Sequence, residues 1–484
     1  MLFIFAHQSK YSCMNFSIRM ILICFVLSFF ACNNSNPTSD NLSKNEGTSS
    51  TLEKANMQGH YPMWSKNANM YEVNIRQFTP EGTFAAFTKH IPRLQEMGVD
   101  ILWFMPIYPI SETKKKGSLG SYYAVSDFTK VNPEFGTLAD FQTMVQTIHD
   151  AGMKVILDFV PNHTGWDHIW ISSHPDYYTQ DKDGNIVDPI DPSTGKSWGW
   201  TDVADLNFDN ADMRKNMIKD MLYWLDKENV DGYRMDVAHG VPVDFWGEVS
   251  TALTEAKPDV FMLAESEVTD LRNKKYFQTD YGWEFHHILN DIAKGEKGPK
   301  DVKKWYTENQ EKYTHGWHIQ FTSNHDENSW SGPTKERMGE AHDALAALAF
   351  TIEGMPLIYG GQEEPLEKRL EFFEKDDIGF GKYEKSDWYA KLLKLKHENE
   401  SLWNGVFGGK PIFVQADDQV LAYSREKNGM MTYCIFNLSD KPAQFEVPVD
   451  AMNVMDVMTQ AKSNLKKGET VDLKAWDYRI YSSI

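Results

Sequence analysis

"TLADFQTMVQTIHDAGMKVILDFV", from Thr137 to Val160, holds one complete helix-to-strand unit, and its reading decides the fold. Thr137 with Asp140 three residues on is a helix-capping pattern. Phe141, Met144, Val145 and Ile148 then recur at helical spacing, and Gly152 ends the run. Next comes "KVILDFV", continuous and β-branched, as expected of a strand buried on both faces. A strand of that kind belongs to a parallel sheet covered by helices.

The same unit repeats along the chain. Comparable strand-like runs are "MYEVNIRQF", "DILWFMPI", "GYRMDV", "VFMLAES", "WHIQFTSN" and "MPLIYGG", and a further one is placed at "TDYGW". Eight strands alternating with helical stretches predict an α/β fold, a (β/α)8 barrel. The barrel is expected over 63–161 and 210–402. Between Asn162 and Asp209 the rhythm breaks into Trp, Gly, Pro and Asp with no clean helix, and irregular stretches of that length are usually functional. Residues 162–209 are therefore read as an inserted small domain at the barrel rim. From 403 to 484 short alternating strands such as "QVLAYSREK" and "MMTYCIFNLS" predict a C-terminal antiparallel β-sandwich.

The N-terminus reads as an address. From Met14, "MNFSIRMILICFVLSFFAC" has a weakly basic start and an apolar stretch too short to span comfortably, ending in Ala-Cys. It is similar to a bacterial lipoprotein signal over 1–31, with Cys32 as the lipidated residue. A plain secretory signal or an uncleaved anchor is the alternative. Residues 32–62 are polar and rich in Ser and Asn, the composition of a tether. The expectation is an exported protein, lipid-anchored to a bacterial membrane at Cys32 and touching the membrane only there. Cleavage before Cys32 leaves Cys434 as the remaining cysteine, so no disulfide framework forms.

Of the 484 residues, 41% are hydrophobic and 24% charged, with a net charge of −20. That balance excludes nucleic acid as a natural partner and leaves a neutral ligand unaffected. No protein partner is inferable.

Four strand ends carry polar residues that a core does not need. "LDFVPNH" gives Asp158, Asn162 and His163; "GYRMDVAH" gives Arg234, Asp236 and His239. "LAESE" gives Glu265, and "TSNHDEN" gives Asn324, His325 and Asp326. Residues i and i+2 of a strand share a face, so Arg234 and Asp236 should both point into the barrel mouth. Carboxylates converging from three strands suit glycoside hydrolysis, which needs one carboxylic acid and one carboxylate. Arg234 should hold Asp236 ionised, and the apolar Leu263 and Ala264 before Glu265 should raise that carboxyl towards the role of acid.

These stretches resemble the ordered regions of the α-amylase family (glycoside hydrolase family 13), from about Tyr71 to Glu364. "LDFVPNH", "GYRMDVAH", the glutamate of "LAES" and "SNHD" occur in the family's order, with "GVDILWFMPIYP" and "GMPLIYGGQE" as further matches. The resemblance implies Asp236 as nucleophile, Glu265 as general acid/base and Asp326 as the third carboxylate. It implies that Arg234 sets the nucleophile's charge, that His163 and His325 hydrogen-bond the same glucose, and that Tyr123 stacks beneath it. It further implies a structural calcium held by Asn162, Asp205 and the backbone carbonyl of His239. The expected substrate is starch or maltooligosaccharide, cleaved at α-1,4 bonds with retention. A transglycosylase, a cyclomaltodextrinase or neopullulanase-like enzyme, and a non-catalytic starch-binding lipoprotein are the alternatives. Two departures stand out. Ala124 follows Tyr123 where exo-acting α-glucosidases of the family usually have an aspartate, which favours an open cleft. Ala238 precedes His239 where many α-amylases have a lysine.

Overall fold

A computed structural model describes residues 61–191 and 194–483. The segment expected to be a signal, Cys32 and the expected tether up to residue 60 lie outside the described residues. No described helix is long and apolar enough to cross a membrane.

Eight parallel strands close into a barrel. They are β1 (Met70–Val73), β2 (Ile101–Phe104), β3 (Lys154–Phe159), β4 (Gly232–Met235), β5 (Phe261–Ala264), β6 (Thr279–Tyr281), β7 (Trp317–Gln320) and β8 (Met355–Tyr359). Each pairs with the next, and β8 returns to β1. All eight fall within the runs expected from sequence.

Alternation along each strand builds two apolar layers. Met70, Ile101, Trp103, Ile156, Leu263 and Ile319 fill the inside of the barrel. Their neighbours Tyr71, Leu102, Val155, Tyr233 and Met235 pack outward under the helices. Each large side chain so buried contributes about 1.5–3 kcal/mol. Towards the C-terminal ends of the strands the inward positions turn polar: Glu72, Asp158 and Arg234 are all buried. Gly232 opens β4 for a steric reason, because a Cβ there would lie 1.9 Å from the Phe261 carbonyl oxygen of β5.

The helix before β3, Leu138–Asp150, starts at a full capping box. The Thr137 hydroxyl accepts from the Asp140 amide at 3.2 Å, and the Asp140 carboxylate accepts from the Thr137 amide at 2.8 Å. Phe141, Met144, Val145 and Ile148 are its buried face.

Between β3 and β4 the chain leaves the barrel. His163–Gly165 and Val203–Asp205 pair antiparallel at the base of this excursion. Contrary to the expectation of no clean helix, it contains a short one, Ile169–Ser173, capped where the His168 ring accepts from the Trp170 amide. Five residues are too few for a periodic pattern to show in sequence.

After β8 and the helix Ser386–Glu398, strands from Ile412 onward form a six-stranded antiparallel sheet and a two-stranded one. Val420, Ala422, Ile435, Phe445 and Leu473 pack between these sheets. The opposite face of the larger sheet, with Leu421, Tyr423, Cys434 and Phe436, joins the core of the barrel helices. Arg425 fastens this junction. Its guanidinium is fully buried and donates to the carbonyls of Thr351 and Ile352 at 2.9 Å, Gly409 at 2.7 Å and Trp403 at 3.2 Å.

Candidate active site

Arg234 stands at the centre of a cup at the C-terminal end of the barrel. Its Nη1 reaches Asp158 Oδ1 at 2.9 Å and Asp236 Oδ1 at 2.7 Å; its Nη2 reaches Glu265 Oε1 at 2.8 Å. The Nε donates to the Tyr281 hydroxyl at 3.2 Å. One guanidinium therefore joins carboxylates from β3, β4 and β5, and a structural pair would need only one of them. The strand register makes this possible, since Asp158 lies opposite Arg234 and Arg234 opposite Leu263, two residues before Glu265.

The other side of the cup is a hydrogen-bonded chain. His325 Nδ1 lies 2.6 Å from Glu72 Oε1, and its Nε2 lies 2.8 Å from the Tyr123 hydroxyl. Tyr123 in turn donates to Asp158 Oδ2 at 3.1 Å. Burial opposes charge on His325, but Asp326 and Glu72 beside it push its pKa up to about 9. As an imidazolium it donates from both nitrogens, which orients the whole chain. The Tyr123 ring lies 5.6 Å from the His325 ring at an interplanar angle of 22°.

Asp326 closes the cup. Its Oδ2 is 3.5 Å from His325 Nε2, and its Oδ1 accepts from the Trp330 indole at 3.1 Å. Some 38% of its side chain is open to the cleft. His163 is set further out, buried with its ring 5.7 Å from that of Trp200. Burial drives its pKa down to about 4, so it is a neutral hydrogen-bonding group.

The acid–base balance of the empty cup departs from expectation. Burial pushes Glu265 up, but Arg234 and the Val237 amide, which donates to Oε2 at 2.8 Å, bring its pKa below the usual carboxylate range. Burial instead lifts Asp236 well above its ordinary value and Asp158 to about 7, against the pull of Arg234. The reason is division of charge. A single arginine shared among three buried carboxylates cannot hold all of them ionised. The Val237 amide reaches Glu265 because Val237 adopts φ 45°, a left-handed conformation that β-branched residues rarely take.

Asp236, Glu265, Asp326, Arg234, Tyr123 and His325 thus come together, with His163 at the rim. Sequence reading missed Glu72, Tyr281, Trp330 and Phe372, whose ring lies 6.3 Å from that of Tyr123. Glu72 was findable: in "MYEV" it shares the inward face with Met70.

The three positions expected to hold calcium lie where the excursion leaves the barrel. Asn162 Oδ1 packs so closely on Gly240, next to His239, that a Cβ there would meet it at 2.7 Å. His163 pairs with Asp205 across the two short strands at the base of the excursion. Burial raises Asp205 to about 6, and its charged neighbour is another carboxylate, Asp188. An amide oxygen, a carboxylate short of positive charge and a carbonyl are donor types that fit a hard cation. No cluster of three or more His, Cys, Asp or Glu suited to a metal occurs among the described residues. The "DKDGNIVD" stretch is a hairpin turn, in which Asp181 Oδ1 accepts from the Asp183 and Asn185 amides, both at 2.9 Å.

Comparison with known proteins matches this architecture. The α-amylase catalytic domain family matches residues 33–387, and the maltogenic amylase C-terminal domain family matches residues 412–480. The α-amylase MalA of Haloarcula japonica is 24% identical over 400 residues, 80% of this chain and 58% of its own length. The α-amylase 3 of Dictyoglomus thermophilum is 27% identical over 351 residues, covering 64% of this chain and 66% of its own. The chain thus spans less than two thirds of each of these relatives. Among solved structures, an α-amylase from Lactobacillus plantarum is similar with a TM-score of 0.77 at 25% identity, covering 87% of this chain and all of that one. A maltogenic α-amylase, AmyB, from Thermotoga neapolitana has a TM-score of 0.76 at 24% identity, with the same coverage. With the barrel, the carboxylate cup and a family match over most of its length, the chain belongs to the α-amylase family of glycoside hydrolases.

Proposed function

We propose that the protein hydrolyses α-1,4 bonds of starch and maltooligosaccharides with retention, through a covalent glycosyl-enzyme on Asp236. The observation that carries this reading is the bridging of Asp236 and Glu265 by one guanidinium. It supports the close carboxyl spacing, about 5–5.5 Å, of a retaining pair.

With a glucosyl ring over Tyr123, an Asp236 carboxylate oxygen bonds to the anomeric carbon as the glycosidic C–O bond breaks. Glu265 gives its proton to the departing oxygen. A water then attacks the anomeric carbon, returns a proton to Glu265 and frees Asp236. In the resting cup Glu265 leans on Arg234, and the shared proton favours the aspartates. Substrate entry must therefore draw Glu265 off the guanidinium and move the shared proton from Asp236 onto it, which leaves Asp236 ionised to attack and Glu265 protonated to act as the acid. Asp326 grips the ring hydroxyls, His325 joins it once its Nε2–H turns from the Tyr123 hydroxyl to the sugar, and His163 does so from the rim. Ala124, standing where exo-acting α-glucosidases of the family usually have an aspartate, favours an open cleft and so internal bonds of a chain.

Calcium, as the partner of Asn162, Asp205 and the His239 carbonyl, belongs to this reading as a structural ion that ties the excursion to the barrel. So do export and a lipid anchor at Cys32.

Reducing-sugar release from starch by wild type and by Asp236→Ala tests the function. Release by the wild type alone, with the product's anomeric configuration retained by NMR, is the expected result. No release by the wild type favours a starch-binding protein. Products longer than the maltooligosaccharide supplied would instead favour a transglycosylase, since a sugar can intercept the same intermediate.

A further inference from the structure

Trp330 follows Asp326 by four residues, on a stretch, Glu327–Ser331, wound as a π-helical turn. Widened turns of this kind concentrate at functional sites. The core does not use the side chain, because 55% of it is exposed. Its backbone is nevertheless clamped. Arg369 donates from Nη1 to the Trp330 carbonyl at 2.9 Å and from Nη2 to the Ser331 carbonyl at 3.1 Å. Asn328 and Ser329 bond the chain at Lys368 and Leu370. A large apolar ring held in place yet left in water is what a binding platform requires.

What surrounds the ring gives it a direction. Trp330 lies 5.3 Å from Phe372, and Phe372 lies nearly parallel to Tyr123, at 6.3 Å and 14°. A row of packed aromatic rings thus runs from Tyr123 through the buried Phe372 to the exposed Trp330. The Trp330 indole also occupies Asp326 Oδ1, which leaves Oδ2 for a ligand hydroxyl. Solvation of Asp326 does not require that bond, since the carboxylate is already open to the cleft.

We propose that Trp330 positions the Asp326 carboxylate through its indole N–H and offers its face to a second glucosyl unit, next to the one over Tyr123. This rests on the reading of the cup as an α-glucan hydrolase. Sugar rings present C–H faces that lie flat on indole, while their hydroxyls point sideways to groups such as Asp326.

Two substitutions separate the roles. Trp330→Phe keeps a ring and removes the N–H; Trp330→Ala removes both. For Trp330→Phe, kcat should fall roughly tenfold, the scale of one hydrogen bond to a charged group, with KM for maltoheptaose unchanged. The charged groups facing Asp326 are His325, Glu265 and Arg234. Losing the indole donor leaves these three unchanged and raises Asp326 further, so the acid limb of kcat should move to higher pH. In an Asp236→Asn background, Trp330→Ala should weaken maltoheptaose binding by calorimetry roughly tenfold, and Trp330→Phe should not. Wild-type kcat and pH profile in Trp330→Phe would overturn the positioning role. Undiminished binding in the Ala variant would overturn the platform. Because Phe is close in shape, it tests the proposal even if the Ala variant fails to fold. The binding arm reads Trp330 even if the wild type hydrolyses nothing, an outcome that would instead count against the proposed function.

Discussion

Glu72 and His325, 253 residues apart in sequence, are hydrogen-bonded at 2.6 Å on the inner wall of the barrel. The contact ties β1 to the loop after β7 and, after Asp326, is what keeps the histidine charged. A histidine whose pKa is raised on folding, here to about 9, adds stability that is fully present below its unfolded value of roughly 6.5. That stability is lost as pH rises through about 9. In Glu72→Gln the stability should depend less on pH between those limits. Urea denaturation at pH 6.5 and pH 9.5 measures it, and an unchanged difference between the two would count against the assignment.

The two central carboxylates should fail in different ways. Asp236→Asn removes the proposed nucleophile and should cost about a thousandfold or more in kcat on every substrate. Glu265→Gln removes the proposed proton donor, which matters most when the leaving group is a poor one. Its loss should be large on starch and much smaller on an aryl maltoside with an acidic phenol. Equal losses on both substrates would contradict the assignment of Glu265 as acid.

Calcium should show itself through Asp205. An aspartate raised to about 6 on folding binds protons in the folded state that the unfolded chain does not bind. Without a cation, stability should therefore decline as pH rises from about 4 to 6. Added calcium should cancel that decline and raise the melting temperature above that of EDTA-treated protein. Identical melting curves with calcium and with EDTA would rule the ion out.

Arg425→Met should destabilise the fold by about 3–5 kcal/mol, because the buried carbonyls of Thr351, Ile352, Gly409 and Trp403 lose their donor. Activity per folded molecule should stay near wild type, since none of these groups lies in the cup. Denaturation midpoints together with active-site titration would separate the two effects.

Much of this was legible in the chain itself. Period-two alternation in "GYRMDV" placed Arg234 and Asp236 on one face, and the capping pattern at Thr137 and Asp140 placed a helix. Both are local rules, and they need no knowledge of what lies across the barrel. Contacts between distant segments were harder to foresee. Trp330 reads as an ordinary surface tryptophan until the π-turn and the 362–385 loop are placed beside it. The charge state of Glu265 was misjudged because its immediate neighbours, Leu263 and Ala264, are apolar. What decides it is Arg234, delivered from the adjacent strand. Local sequence describes the wall around a residue but not the ion across from it.

The central strands of the large C-terminal sheet, Val420–Lys427 and Met430–Asn437, are buried on both faces, one against the smaller sheet and one against the barrel helices. Cutting the gene after residue 403 would therefore strip an apolar layer from the helices His342–Thr351 and Ser386–Glu398. The C-terminal segment is thus part of the same folding unit as the barrel helices it covers. Its loss should leave an aggregating barrel, and the intact chain should melt in one calorimetric peak.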